Sequence, residues 1–334
     1  MNGGDFAFST RRLYYIRDYR LSQQIMNADM ILILGTTASG KGTLAFALAE
    51  TLGAEIISID SMKVYRRMDI GTAKPPKEAR RQIACHLIDI VEPSDSFCVA
   101  AFLAAARDAI ERIKGRSKPI VAVGGTALYI KALLYGLFEG PGTDEQFRAQ
   151  LRARAQTEGP AKLYGELTGV DPAAAEHISP NDSRRIIRAL EVHQLTGKPI
   201  SSFQTQFAVE KPLHDWTIIG LRREKNEENR RINARVKKMI ADGLVDEVRG
   251  LLAEEKPLSK QARCAIGYAE IIDYLSGRHT LDDAVELIKK NTRRLAKGQR
   301  TWFKTFKNVN WLDIPPDQPP QEILIRTKDI AASR

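Results

Sequence analysis

Seven residues, Gly35-Thr36-Thr37-Ala38-Ser39-Gly40-Lys41, form a glycine-rich turn that ends on a lysine. The apolar stretch Met30-Ile31-Leu32-Ile33-Leu34 precedes it, and the helical pattern Leu44-Ala45-Phe46-Ala47-Leu48-Ala49 follows. In the order strand, glycine-rich turn, helix, loop amides and the positive end of the helix dipole converge on one point, and the lysine adds a full charge. That arrangement holds a di- or triphosphate. The hydroxyl that would usually follow the lysine as a Mg²⁺ ligand is missing: Gly42 stands there. Thr43 comes next, about 100° further round a helix, and is the one hydroxyl left as a metal candidate. Nucleoside monophosphate kinases also carry Gly-Lys-Gly-Thr, so phosphate binding survives the change.

Two further strand ends supply chemistry. Ala54-Glu55-Ile56-Ile57-Ser58-Ile59 reads as a buried strand ending at Asp60, a carboxylate able to take a proton from a bound nucleophile or to hold Mg²⁺ indirectly. Ser61 adds a hydroxyl, although an Asp-Ser pair can equally cap a helix. Ile120-Val121-Ala122-Val123 leads into Gly124-Gly125-Thr126, which offers close backbone approach, free amides and a hydroxyl as a second grip on phosphate oxygens, or else a plain helix cap. The donor-rich run from Met62 to Pro75 reads as a binding loop.

Apolar runs alternating with helical patterns predict a P-loop NTPase-like α/β core, a parallel sheet flanked by helices. Trp216-Thr217-Ile218-Ile219-Gly220-Leu221 reads as another strand of it. In such sheets ligands gather at the carboxyl ends of the strands, so Lys41, Asp60 and Thr126 are expected to face one crevice. Residues 140–212 contain short helical patterns bounded by Gly-Pro-Gly and Lys-Pro, and no strand-like run; they read as an all-helical insertion domain. The core then comprises 30–139 and 213–314, with 1–29 an N-terminal extension and 315–334 a proline-marked tail. The extension reads either as a mobile basic arm or as sequence upstream of a start at Met30.

The 334 residues carry a formal net charge of +10, which suits a polyanionic partner as well as a merely basic enzyme. Lys289, Arg293, Lys297, Arg300, Lys304 and Lys307 recur at steps of three and four, so a continuous helix would align them, with Trp302, Phe303 and Phe306 between. Arg184-Arg185-Ile186-Ile187-Arg188 is a second basic cluster. Cys85, Cys98 and Cys264 are scattered without a CxxC pair or a histidine cluster, which fits a reducing cytoplasm. No apolar run approaches the roughly 20 residues that span a bilayer. A monomeric cytoplasmic enzyme is the expectation.

Several motifs resemble those of the tRNA dimethylallyltransferases, also called tRNA isopentenyltransferases. They are the cradle, Ile-Asp-Ser-Met-Lys-Val-Tyr, Asp-Ile-Gly-Thr-Ala-Lys-Pro, Val-Gly-Gly-Thr-Ala-Leu-Tyr, Pro-Asn-Asp-Ser-Arg-Arg-Ile-Ile-Arg-Ala-Leu-Glu, Cys-Ala-Ile-Gly-Tyr and Lys-Gly-Gln-Arg-Thr-Trp-Phe, in family order from about Met30 to Leu312. The resemblance implies transfer of a dimethylallyl group from dimethylallyl diphosphate, with Mg²⁺, to the N6 amine of the adenine 3′ of the anticodon in tRNAs reading codons that begin with U. It implies Asp60 as general base, and Lys41, Thr126 and the loop Gly35 to Thr43 on the diphosphate. For the tRNA anticodon stem-loop it implies Asp60, Ser61, Met62 and Lys63, then Arg184, Arg185, Ile186, Ile187 and Arg188, and the stretch Arg263, Cys264, Ala265, Ile266, Gly267 and Tyr268. Arg293 and Lys297 of the basic stripe join them.

The chain departs from that pattern at Gly42, at Lys63 where glutamine is usual, at Cys85 where histidine is usual, and at Gly298 where arginine is usual. These departures keep three rivals in view: a nucleotide kinase, an adenylate isopentenyltransferase acting on free nucleotide, and a non-catalytic tRNA-binding relative.

Overall fold

The computed structural model describes residues 30–137, 140–203 and 212–333; the N-terminal extension 1–29 lies outside them. Six strands, β1 (Met30–Gly35), β2 (Glu55–Ile59), β3 (Cys85–His86), β4 (Ile120–Gly124), β5 (Thr217–Arg222) and β6 (Asn310–Asp313), form one sheet in the order β3-β2-β4-β1-β5-β6. Every pairing is parallel. β1 is buried along its whole length, as expected of a strand that is apolar on both faces and covered by helices. The sequence reading lacked β3 and β6, which are two and four residues long and too short or too polar to show as apolar runs.

The first helices along the chain are α1 (Lys41–Leu52), α2 (Lys77–Gln82), α3 (Val99–Lys114) and α4 (Ala127–Tyr135). Four more, α5 (Glu145–Thr157), α6 (Pro160–Val170), α7 (Pro172–His177) and α8 (Ser183–Thr196), form a second compact unit, Leu134–Leu213, with a core of its own around Leu151, Leu163, Leu167, Ile186 and Leu190. No strand occurs among its described residues. Back in the first unit follow α9 (Lys225–Ala241), α10 (Leu244–Leu252), α11 (Lys260–Arg263), α12 (Tyr268–Leu275), α13 (Leu281–Phe303) and α14 (Pro320–Ala332).

The stretch 315–334, expected to be a tail, instead closes the core. Pro319 and Pro320 start α14, where a missing N–H costs nothing, and Ile323 and Ala331 pack in the cluster that holds Leu44, Ala45 and Leu48 of α1. The prolines that read as breakers are therefore a helix start.

Candidate active site

β2, β4 and β1 are neighbours in the sheet, so their carboxyl ends bring three loops together. After β1 the chain enters the glycine-rich turn. Ala38 and Gly40 take left-handed backbone angles (φ 64° and 96°), which bend residues 36–40 back toward the start of α1. Lys41, the first residue of α1, folds its ammonium over the turn and donates to the Thr36 carbonyl at 3.0 Å. The first amides of the helix have no intrahelical acceptor and face the same concavity. After β2, Asp60 Oδ1 accepts the main-chain N–H groups of Met62 (2.9 Å) and Lys63 (3.2 Å), which fixes the carboxylate. Oδ2 has no protein donor among the described residues. After β4, the Thr126 hydroxyl accepts the Ser61 N–H at 3.2 Å, so the loops after β2 and β4 are joined beside Asp60. Gly124 permits this approach: a Cβ there would lie 2.1 Å from the Ile59 carbonyl oxygen.

The turn is also held by residues from α9 and α13 and from the segment after β5. Arg223 donates to the Ser39 carbonyl (2.9 Å), Arg231 to the Ala38 carbonyl (2.9 Å) and Arg235 to the Thr37 hydroxyl (3.2 Å). Gln299 accepts the Thr37 N–H at 2.8 Å and donates to the Gly125 carbonyl at 2.9 Å, tying the first loop to the third. The Thr36 hydroxyl donates to Glu228 at 2.5 Å, and Glu228 pairs in turn with Arg300.

The site's electrostatics follow from this crowding. Burial, then repulsion from Lys63 and Arg235, brings Lys41 down to about 7, against the opposing pull of Asp60 and Glu228. Burial also lowers Lys63, with Asp60 pulling the other way and Arg235 adding to the fall. Arg235 is lowered by burial and by Arg231. Three cations thus meet one unpaired carboxylate, an arrangement that lacks an anion and can hold a polyanion.

Residues 63–306 match the family model described as IPP transferase, and residues 9–87 match one described as isopentenyl transferase. The tRNA dimethylallyltransferase 2 of Geotalea uraniireducens is 48% identical over 286 residues, covering 86% of this chain and 92% of that relative. The tRNA dimethylallyltransferase of Geobacter metallireducens is 46% identical over 286 residues, covering 86% and 93%. The chain belongs to the tRNA dimethylallyltransferase family.

Solved members of the tRNA dimethylallyltransferase family share the fold. A tRNA isopentenylpyrophosphate transferase from Bacillus halodurans superposes with a TM-score of 0.68 at 39% identity, covering 92% of this chain and 96% of that one. A eukaryotic dimethylallyltransferase described as acting on tRNA gives 0.76 at 27% identity, covering 91% and 80%. The α/β parallel-sheet fold and the assignment to a transferase family both follow.

Against that family background, the positions expected to touch tRNA separate by burial. Arg184, Arg185, Arg263, Cys264 and Lys297 are exposed. Ile186 and Ile187 are core residues of the second unit, and Ala265, Gly267 and Tyr268 are buried, so none of these five presents a side chain to RNA. Ile266 is half-buried. Arg188 binds buried Glu191 at 2.5 Å and the carbonyls of Pro141 and Gly142, and so serves its own unit.

The basic stripe of α13 also turns out differently. Lys289 is buried and paired with Glu286, Arg293 donates to Asn233 at 2.7 Å, and Arg300 holds Glu228. These three lie toward the side that Ala284, Ile288, Ala296, Gln299 and Phe303 bury, whereas Lys297, Lys304 and Lys307 are exposed and the helix ends at Phe303, so the six do not form one continuous face. Gly298 is exposed and does not interrupt the helix.

The Met62–Pro75 run is chiefly a structural knot. Lys74, with a side chain 2% exposed, bridges Asp69 (2.6 Å) and Asp89 (2.5 Å), and Arg67 reaches Glu92 and Glu254. Glu247 accepts the N–H groups of Asp69, Ile70 and Gly71 together with the Tyr268 hydroxyl. Gly71 is required there, since a Cβ would meet the Tyr268 ring at 2.4 Å.

Thr43, expected as the metal hydroxyl, is exposed in the first turn of α1. Arg235, Glu228 and Gln299 were missed by the sequence reading. Each sits among mostly polar neighbours on a long helix, so no local sequence signal sets it apart.

Proposed function

We propose that the chain transfers the dimethylallyl group of dimethylallyl diphosphate to the N6 amine of the adenine 3′ of the anticodon, in tRNAs that read codons beginning with U. The observation that carries the reading is the meeting of Lys41, Thr126 and Arg235 with the fixed carboxylate of Asp60 at the tips of β1, β4 and β2. Lys41, Arg235, the turn amides and the Thr126 hydroxyl proton take the diphosphate oxygens. As the N6–carbon bond forms, the carbon–oxygen bond to diphosphate breaks and the leaving group gains negative charge. Each donor aimed at that charge contributes on the order of 10²–10³-fold. The adenine amine is a poor nucleophile because its lone pair is delocalised into the ring. Asp60 Oδ2 takes its proton during the attack, which contributes roughly 10²–10⁴-fold.

To reach the site the base must leave its stack, at a cost of a few kcal/mol. Exposed Arg184 and Arg185 on one unit, and Arg263 on the other, supply cations for the anticodon stem-loop that offset that cost.

The donor set does not build a Mg²⁺ site of its own. Gly42 offers no hydroxyl, Thr43 is exposed, Glu228 is engaged by Thr36 and Arg300, and no three His, Cys, Asp or Glu side chains come together among the described residues. Mg²⁺ would therefore enter as a companion of the diphosphate. Among the described residues no helix is long and apolar enough to cross a membrane.

The test supplies dimethylallyl diphosphate and Mg²⁺ with unmodified tRNA in one vessel and free AMP in another, analyses the nucleosides by mass spectrometry, and in a third vessel follows the labelled terminal phosphate of ATP offered with AMP. Prenylated adenosine from the tRNA alone is expected. Prenylated free nucleotide, or terminal phosphate transfer from ATP, would replace this reading with one of its rivals.

A further inference from the structure

We infer that Lys63 is a counter-charge, built into the protein, for the diphosphate bound in the cradle, filling the place that a hydroxyl-held metal ion fills in cradles with a hydroxyl after the lysine. The inference deepens the proposed function and rests on its reading of the cradle as a diphosphate site.

Two lysines in the same loop show why. Lys74 is locked between Asp69 and Asp89, so its charge is neutralised inside the fold. Lys63 is pinned just as firmly through its main chain, with its N–H on Asp60 Oδ1 and its carbonyl accepting the Asp89 N–H at 3.2 Å. Yet its ammonium has no hydrogen-bond or ion-pair partner among the described residues, although the residue is partly buried. Its electrostatic neighbours are Asp60, the cations Lys41, Arg235 and Lys74, and the Cys85 thiol, which burial keeps protonated. A partly buried ammonium without a partner keeps only part of its hydration, so an anion that meets it adds to binding. The Lys63 main chain caps Asp60, two residues from the joint where the Ser61 N–H meets the Thr126 hydroxyl, so Lys63 stands in the loop that closes the site beside the cradle. A diphosphate bound by Lys41 lies within its field. Gly42 leaves the metal's hydroxyl out, and Lys63 puts a positive charge in.

Calorimetric titration of the full chain with inorganic diphosphate, once in EDTA and once in Mg²⁺, tests this. The wild type is expected to bind in EDTA within about tenfold of its affinity in Mg²⁺. Lys63→Gln should lose about tenfold or more in EDTA and recover much of it in Mg²⁺, while Lys63→Arg keeps the wild-type behaviour. Gly42→Thr has open space around the new side chain and should gain affinity in Mg²⁺ alone. Equal EDTA affinities for wild type and Lys63→Gln would overturn the inference, and so would wild-type binding seen in Mg²⁺ alone. Should Lys63→Gln fail to fold, the wild-type ratio and Gly42→Thr decide the matter. No binding in either buffer would instead remove the diphosphate reading of the cradle itself.

Discussion

At the amino end of β2, Glu55 is 3% exposed and draws His86 (2.7 Å), Arg116 (2.7 Å) and Lys118 (3.4 Å) onto its carboxylate. At the carboxyl end of the same strand, Asp60 is outnumbered by Lys41, Lys63 and Arg235, and none of the three is paired with it. Burial alone would raise Glu55, but the hydrogen bonds from Arg116 and His86 outweigh it and hold the carboxyl at about 2. Burial and mutual repulsion push the cations at the other end toward neutrality. Charge that is complete within the fold stabilises it, whereas charge that waits for a partner marks where a ligand belongs.

The sharpest way to break this contrast is at Asp60. Asp60→Asn keeps an oxygen for the Met62 and Lys63 amides but removes the proton acceptor, so turnover should fall by roughly 10²–10⁴-fold with the melting temperature little changed. Steady-state rates and a thermal melt check both halves. Thr126→Ala, or Lys41→Met, should slow transfer by about 10²–10³-fold in single-turnover measurements.

Glu55 should behave in the opposite manner. Its depressed pKa gives stability that is present above about pH 4.5 and lost as pH falls toward about 2. That loss amounts to about 3 kcal/mol, and Glu55→Gln should remove the pH dependence while diphosphate affinity is unchanged. Urea titrations across that window report it. The smallest effect concerns protons. Lys41, at about 7 in the free site, regains its ordinary affinity for a proton once an anion binds. Diphosphate binding at pH 8 should therefore take up a fraction of a proton, seen as a heat that differs between buffers of unlike ionisation enthalpy.

Much of this site was legible because its parts are contiguous in sequence. The turn from Gly35 to Lys41, Asp60 at a strand end and Gly124-Gly125-Thr126 each carry a local signature, and parallel-strand topology brings them together. Arg235, Glu228 and Gln299 come from helices 192 to 262 residues away from the turn they hold, and no local spacing marks them. The Met62–Pro75 run misled for a related reason: composition counts donors but not their acceptors, and those of Lys74 include Asp69 inside the run itself, while Glu254 and Glu247, which hold Arg67 and Gly71, lie in distant parts of the chain. The stripe on α13 misled because spacing alone shows neither that the helix stops at Phe303 nor that Lys289, Arg293 and Arg300 find partners inside the fold while Lys297 and Lys304 stay exposed. The C-terminal helix was hidden because prolines end helices and also begin them.

The central claim is that Asp60 takes the proton of a tRNA adenine while the neighbouring cations hold an allylic diphosphate. A single-turnover reaction of dimethylallyl diphosphate with saturating unmodified tRNA, comparing wild type with Asp60→Asn and followed by nucleoside mass spectrometry, tests it most directly. N6-dimethylallyladenosine should form with the wild type and all but vanish with Asp60→Asn, while tRNA binding measured alongside stays the same. Near-normal product from Asp60→Asn would contradict the account.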